Sequence, residues 1–299
     1  MKSIIKNTVL TVILLIAFKS LAQKDPLYTQ YYNNFNLINP AYAGSQESFI
    51  ATANIRSQWS GEVGSPKTQS VSFHTPVGYG LGVGMSIIND NVFVLDETHL
   101  YADISYVVKL SEMYTLAFGI KAGGSFLNVN LLSLGIENDV LFSRNINTFN
   151  PNIGTGMYLS SNRFYASLST LNLLETKHYN KKNNIISSAS DEMVFYFSSG
   201  YLFDLNENFK IRPSIMLRTV EGVPVSTDIS ANILWLDKLE FGLSHRINTS
   251  VSVLFQLRLT ESIKVGYTYD TSTFSYSNFN NGSHEFSFIF NIKKPQNKF

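Results

Sequence analysis

Hydrophobic and polar residues alternate along residues 261–292. Apolar side chains occupy every second position of two segments, namely Ile263, Val265, Tyr267 and Tyr269, and then Phe286, Phe288, Phe290 and Ile292. Because successive side chains of a β-strand point to opposite faces, each segment has one strongly apolar and one largely polar face. An aromatic-rich outer face with charged residues opposite is typical of a sheet between lipid and water. The pattern predicts the closing hairpin of a transmembrane barrel, which must pair with the first strand.

The same period of two residues recurs upstream, from Ser48 onward. Polar breaks interrupt it at residues 128–150, after which strands are predicted at Ile153–Ser160 and Phe164–Thr170, and again at residues 171–191. Counting the alternating segments predicts an all-β fold, an antiparallel outer-membrane β-barrel of about 14 strands of roughly ten residues each. An even number of strands places both chain ends on the periplasmic side, with the long breaks as exposed loops or plugs.

A soluble lipocalin-like barrel or a sandwich would also alternate, because those folds bury their apolar face. The large number of strands argues against one soluble sheet. The polar faces also carry charges of both signs, which pair with each other and with water when they line a lumen. These charged residues are Asp103, Lys121, Arg212, Arg218, Arg246, Arg258, Lys264, Asp270 and Glu285.

The first 46 residues do not follow the barrel pattern. Residues 1–22 have a basic start, a short apolar core and Ser20-Leu21-Ala22 before Gln23, which predicts a cleaved signal peptide. Residues 23–46 are rich in Asn and Tyr and are punctuated by Pro26 and Pro40, so they are predicted as an N-terminal arm or plug. A short helix over Leu27–Leu37 would place Tyr28, Tyr31, Tyr32 and Phe35 near one side.

Packing of this arm against the main body is favoured over a role as a plug or as a periplasmic contact. The barrel itself is predicted over residues 47–293, and residues 294–299 form a polar tail.

Composition narrows the possible functions. Only 15% of the 299 residues are charged, against roughly 25% in ordinary soluble domains. The formal net charge of +1 argues against a general nucleic-acid binder. The chain contains no cysteine, which excludes disulfides, thiolate metal sites, a cysteine nucleophile and a lipid anchor on cysteine.

Candidate chemical sites are weak. The histidines are scattered without metal-binding spacing; they are His74, His99, His178, His245 and His284. His284 and Glu285 are adjacent, so on a strand they face opposite ways and are poorly placed to share a ligand. Gly78, Gly80, Gly82 and Gly84 alternate as in a strand, where glycines relieve crowding or admit a bulky neighbour, and not as in a phosphate-binding loop before a helix. No catalytic, cofactor-binding or metal-binding residue is predicted, and the sequence does not identify partner-binding residues.

Two aromatic residues suggest membrane roles. Trp59 follows the first predicted strand and suits the headgroup boundary. Phe299 is similar to the terminal aromatic of barrel proteins, although the polar segment KKPQNKF separates it from the last strand.

Several motifs, in order along the chain, resemble the PorP/SprF family. They are LINPAYAGS at Leu37–Ser45, QWSGEVGSPKTQSVSFHTP at Gln58–Pro76, GLGVGMSIIND at Gly80–Asp90, RPSIMLRTVEGVPVSTDISANI at Arg212–Ile233, VGYTYDTS at Val265–Ser272 and GSHEFSF at Gly282–Phe288. The match covers nearly all of the mature chain. It is weakest in the central loop region, where only HYN at His178–Asn180 is similar to a family segment.

The resemblance implies an outer-membrane barrel of the type IX secretion system. PorP-like members are associated with periplasmic ring and lipoprotein components. SprF-like members are paired with large surface adhesins that carry a C-terminal sorting domain, sometimes in gliding motility. The family is not known as catalytic and implies no cofactor.

The leading hypothesis is therefore a non-enzymatic barrel in the outer membrane of a Gram-negative bacterium. It would dock or anchor such adhesins or the ring components. The alternative is an outer-membrane pore or small-solute transporter, because a barrel with a polar interior permits one.

Overall fold

The computed structural model describes residues 29–136, 139, 142–174, 193–273 and 281–292, and the backbone alone of 177–182, 185–190 and 293. The predicted signal peptide (1–22), Tyr28 and the polar tail with Phe299 lie outside the described residues. None of the helices in these ranges is long and apolar enough to cross a membrane.

The described chain forms seventeen strands in sequence order. They are β1 (Ser48–Ser57), β2 (Lys67–Gly78), β3 (Leu81–Val92), β4 (Leu95–Lys109), β5 (Thr115–Val129), β6 (Ile146–Ser160), β7 (Phe164–Leu171), β8 (Lys177–Lys182), β9 (Ile185–Ser190), β10 (Val194–Tyr201), β11 (Phe203–Asp204), β12 (Phe209–Val220), β13 (Ser226–Trp235), β14 (Leu239–Arg246), β15 (Ser250–Arg258), β16 (Ile263–Ser272) and β17 (Ser283–Lys293). Short helical turns cover Tyr31–Asn33, Phe35–Ile38, Pro40–Tyr42 and Leu131–Leu134.

The sheet closes on itself. Neighbouring strands pair antiparallel all the way round: β1 pairs with β17, and β10 pairs with both β7 and β12. The two-residue β11 follows β10 and pairs with the same strand, β12, so the two together occupy one position in the wall. The predicted antiparallel barrel of 14 strands is confirmed, as is the closure of the last hairpin onto the first strand.

Side chains alternate across the wall as the sequence predicts. On β17, Phe286 and Phe288 are exposed on the outside, whereas Glu285 and Ser287 are buried inside. The exposed apolar residues of the other strands continue this outer surface, which transfers favourably into lipid. The inner face is lined mostly by Ser, Thr, Asn and charged residues.

The two rims differ. Ser48 begins β1 opposite Lys293, the end of β17, so the barrel begins and ends at one rim, called here the terminal-side rim. The connections at this rim are 79–80, 110–114, 161–163, 205–208, 236–238 and 259–262. The opposite, loop-side rim carries the longest connections, 130–145, 172–193 and 273–282. Since outer-membrane barrels have short periplasmic turns and longer extracellular loops, the terminal-side rim faces the periplasm.

The two predicted polar breaks are corrected. The first is shorter than expected, because β5 continues to Val129 and β6 already begins at Ile146. The second contains the hairpin β8–β9, which pairs separately from the barrel sheet. Strand pairing is made by backbone groups, so it extends into polar sequence that has no alternating apolar face.

Candidate functional site in the barrel lumen

Residues 29–44, called here the lumen segment, lie inside the barrel. Thr29 contacts Glu285 and Asp270, close to the loop-side ends of β17 and β16. A Cβ built on Gly44 would lie 2.5 Å from the Cα of Gly82, close to the terminal-side end of β3. The segment therefore runs through the lumen from the loop-side half to the terminal-side rim, where it joins β1. The arm is therefore a plug, where the sequence favoured simple packing against the main body.

Three short turns replace the single helix predicted over Leu27–Leu37. Asn34 and Asn39 separate the turns with non-helical backbone angles. The Asn39 side chain accepts a hydrogen bond from the Ala41 N–H at 2.9 Å, which caps the third turn. Pro40 follows as the first residue of that turn, a position where its missing N–H costs nothing. Asparagine competes with the backbone for hydrogen bonds, so it breaks a helix here.

An aromatic cluster anchors the middle of the lumen segment to β6 and β7. Phe35 is almost completely buried, and its ring centroid lies 5.4 Å from Tyr42, 6.0 Å from Tyr158 and 5.2 Å from Tyr165. Tyr42 also contacts Tyr158 edge-on at 5.2 Å. Aromatic pairs in this range of distances contribute beyond their buried area.

Inward-facing glycines give the segment the space to approach the wall. A Cβ added at Gly119 on β5 would lie 2.2 Å from the backbone nitrogen of Ala41. One added at Gly156 on β6 would lie 2.0 Å from Oδ1 of Asn39. A single glycine at a lumen-facing position of a strand is the sequence feature that could have located these two gaps.

The predicted glycine alternation is correct only in part. Gly82 and Gly84 face the lumen segment from β3, where a Cβ would lie 2.3 Å from the Ala43 carbonyl oxygen and 2.9 Å from Asn36 Oδ1 respectively. Gly78 ends β2 and Gly80 lies in the following turn, with φ of 101° and 77°. These two glycines serve a reversal of the chain and not the interior of a strand.

Polar contacts hold the segment to strands on many sides of the barrel. Asn39 Nδ2 donates to the Met157 carbonyl at 2.9 Å and to Ser167 Oγ at 2.7 Å. Ser72 donates to Asn34 Oδ1 at 2.8 Å, and Ser169 donates to the Ile38 carbonyl at 2.7 Å.

Buried ion pairs on the inner face lie beside the lumen segment, in agreement with the predicted lumen charges. The Lys121 ammonium lies 2.7 Å from Asp103 Oδ1 and donates to the Asn36 carbonyl at 3.1 Å. Arg56 bridges Asp270 at 2.6 Å and Glu285 at 2.9 Å.

Two further ion pairs lie beside the tyrosines of the lumen segment. Arg246 pairs with Asp228 at 2.7 Å, close to Tyr31. Arg212 pairs with Glu240, and its guanidinium carbon lies 3.3 Å from the centroid of the Tyr32 ring.

A narrow cavity lies between the lumen segment and strands β7, β10 and β12–β15. Its volume is about 50 Å³, and hydroxyl groups from neighbouring strands line it, including Ser198, Ser214, Ser230 and Ser252. At roughly 10–15 Å³ per water, this volume holds about four waters.

His284 and Glu285 point to opposite faces of β17, as the alternation of strand side chains requires. Glu285 faces inward to Arg56, whereas the Nδ1 of His284 lies 2.8 Å from the Tyr267 hydroxyl. Among the described residues, no group of three His, Asp or Glu side chains is arranged to hold a metal ion. Trp59 follows β1 at the loop-side rim and is half exposed, and its backbone N–H donates to Ser283 Oγ.

A family model described as "Type IX secretion system membrane protein PorP/SprF" matches residues 20–290. The chain belongs to the PorP/SprF family. The match covers every strand of this PorP/SprF barrel except the last residues of β17, and it also covers the lumen segment. The resemblance of the six sequence motifs is thereby confirmed, and the barrel belongs to the outer membrane.

No curated protein matches this PorP/SprF chain. Among solved structures, it is similar to the outer membrane protein Omp33 of Acinetobacter baumannii, with a TM-score of 0.48 and 7% identity over 82% of this chain and 99% of that one. A Pseudomonas aeruginosa FadL homologue is similar with a TM-score of 0.47 and 11% identity, over 85% of this chain and 91% of that one. The P. putida toluene transporter TodX is similar with a TM-score of 0.49 and 9% identity, over 89% of this chain and 95% of that one. Similarity at this level supports no inference about what this PorP/SprF barrel binds.

Proposed function

We propose that this protein is a non-enzymatic docking barrel of the type IX secretion system. It binds surface proteins that carry a C-terminal sorting domain, periplasmic ring components, or both, and takes part in their export or anchoring, including in gliding motility. The observation that supports this function is the filled lumen. A barrel whose interior is occupied by its own chain presents its rims and loops, and not a channel, to other molecules.

The contacts inside the lumen favour docking over transport. The lumen segment is bonded to β2, β6, β7 and β17 and packs into gaps in β3 and β5. Such a plug keeps the barrel rigid, and a rigid scaffold is what positions binding loops.

Two exposed residues, one at each rim, allow a crosslinking experiment to distinguish partners bound at the two rims. Val63, in the β1–β2 connection on the loop side, is 96% exposed, and Tyr79, in the β2–β3 turn on the terminal side, is 97% exposed. A photo-crosslinking amino acid at each site is expected to capture a sorting-domain protein from the loop side or a ring component from the terminal side. The lipid-facing Phe288 is the matched control position. If neither class of partner is captured at either rim, the docking function is overturned.

The competing function, a pore or small-solute transporter, is tested by conductance. The purified barrel in a planar bilayer is expected to show no large steady current. A variant that lacks residues 29–44 is expected to open, because the remaining inner face is polar. A large open current through the unaltered protein would favour the pore.

A further inference from the structure

The charges on the inner face are not balanced everywhere. Most lumen cations are paired, but Arg258 and Lys264 are not engaged in any ion pair within the described part of the chain. They are the last residue of β15 and the second residue of β16, so both lie at the terminal-side mouth. By strand alternation they face inward with Gln256 and Gly266, which are buried.

Arg258 and Lys264 are directly opposite each other in the β15–β16 register. Like charges in directly opposed positions of a β-ladder repel each other and destabilise the pairing. Both side chains are also partly withdrawn from water, and the Nε of Arg258 is buried without a hydrogen-bond acceptor among the described residues. A bound anion would offset this repulsion and would supply the acceptor that the Nε of Arg258 lacks among the described residues.

The carboxylates near Arg258 and Lys264 already form ion pairs with other cations. Arg258, Glu240, Arg212 and Asp237 are the charged neighbours that act on Lys264. Glu240 accepts hydrogen bonds from Arg212 and Asn232, and both oxygens of Asp237 accept from Lys210 at 2.9 and 2.8 Å. Glu261, at the turn between β15 and β16, is exposed to water. Arg212 and Lys210 therefore take the two nearby carboxylates, Glu240 and Asp237, and among the described residues neither Arg258 nor Lys264 has an ion-pair partner of its own.

We propose that Arg258 and Lys264 form a binding site for an oxyanion, carboxylate or phosphate, that enters the barrel from its terminal-side opening. A guanidinium group offers a planar fork of N–H donors and an ammonium offers a second, compact charge, a combination suited to both groups. An acidic side chain of a periplasmic protein and a free phosphate group would use the same contacts. The site rests on the charges of the mouth and is independent of the docking function.

The test is isothermal titration of the purified barrel in a neutral maltoside detergent, with inorganic phosphate and with glutarate as probes and sodium chloride as the reference. Saturable binding of phosphate, of glutarate or of both supports the site and identifies the preferred source. Lys264→Gln is expected to weaken that binding at least tenfold. Lys238→Gln is the matched control, because Lys238 is an exposed lysine in a turn of the same rim, and it is expected to leave binding unchanged.

A charge reversal guards against a variant that merely fails to fold. Lys264→Glu places a carboxylate opposite Arg258, so this variant is expected to fold, to lose anion binding and to melt at a temperature no lower than that of Lys264→Gln. Binding no stronger than that of chloride, or full binding in a folded Lys264→Glu barrel, would overturn the proposal.

Discussion

Arg56 and Glu285 lie directly opposite each other across the seam where the last strand meets the first, and their side chains are joined at 2.9 Å. Both are buried, and Glu285 also accepts a hydrogen bond from the backbone N–H of Thr29 at 3.0 Å. One ion pair thus fixes both the closure of the barrel and the loop-side end of the lumen segment.

Removing one charge from this seam is expected to destabilise the barrel strongly. Glu285→Gln leaves the buried Arg56 with Asp270 alone, and breaking a buried pair costs about 3–5 kcal/mol. The measurement is urea unfolding of the barrel in lipid vesicles. The double variant Arg56→Gln/Glu285→Gln is expected to lose less than the sum of the single changes, because the two residues interact directly. Glu112→Gln, in the exposed pair with Lys109, is the control and is expected to have little effect.

Filling the gap at Gly119 is expected to displace the lumen segment. In Gly119→Leu, the new side chain would occupy the space of Ala41, whose backbone nitrogen lies 2.2 Å from the Cβ position. Single-channel recording is expected to show openings that the unaltered barrel lacks. Ala122→Leu on the outward face of the same strand is the control, and a silent Gly119→Leu barrel with native stability would contradict the plug.

Loss of the Asn39 side chain is expected to loosen the segment without opening the seam. Asn39→Ala removes the bonds to Met157 O, Ser167 and the Ala41 N–H, and leaving buried polar groups unsatisfied costs about 1–3 kcal/mol. Hydrogen exchange of the Ala41 amide is expected to accelerate. Asn33→Ala, whose side chain donates only to Gln30 within the segment, should leave that amide protected.

The outer face is expected to tolerate charge only near its edges. Phe288 lies in the middle of β17 and is exposed outward, so Phe288→Arg is expected to cost about 2–4 kcal/mol in a bilayer. Ile292 lies on the same face one residue from the end of the strand, so Ile292→Arg is expected to cost roughly 0–1 kcal/mol. Unfolding in lipid vesicles compares the two, and equal costs would contradict the position of this strand in the membrane.

The barrel wall could be predicted because the alternation of residues within each strand indicates its lipid-facing side. Alternation at Ile263–Ser272 and Phe286–Ile292 states which side chains meet lipid, and a lipid-facing strand cannot leave an unpaired edge. The closing contact between β17 and β1 followed from that requirement. The extension of β6 back to Ile146 did not, because asparagine and threonine alternate irregularly with apolar residues at 146–152, although this part pairs with β5 like the rest of the strand.

The sequence by itself determined the family, the antiparallel barrel of 14 strands and the inward position of its charges, because these depend on local alternation and on motifs in order. Only the tertiary structure decided that residues 29–44 fill the lumen. Their partners, from Ser72 to Glu285, are brought together when the sheet closes. Gly119 and Gly156 become gaps only opposite Ala41 and Asn39. A buried position that depends on contacts from many strands leaves no periodic signal in the segment that occupies it.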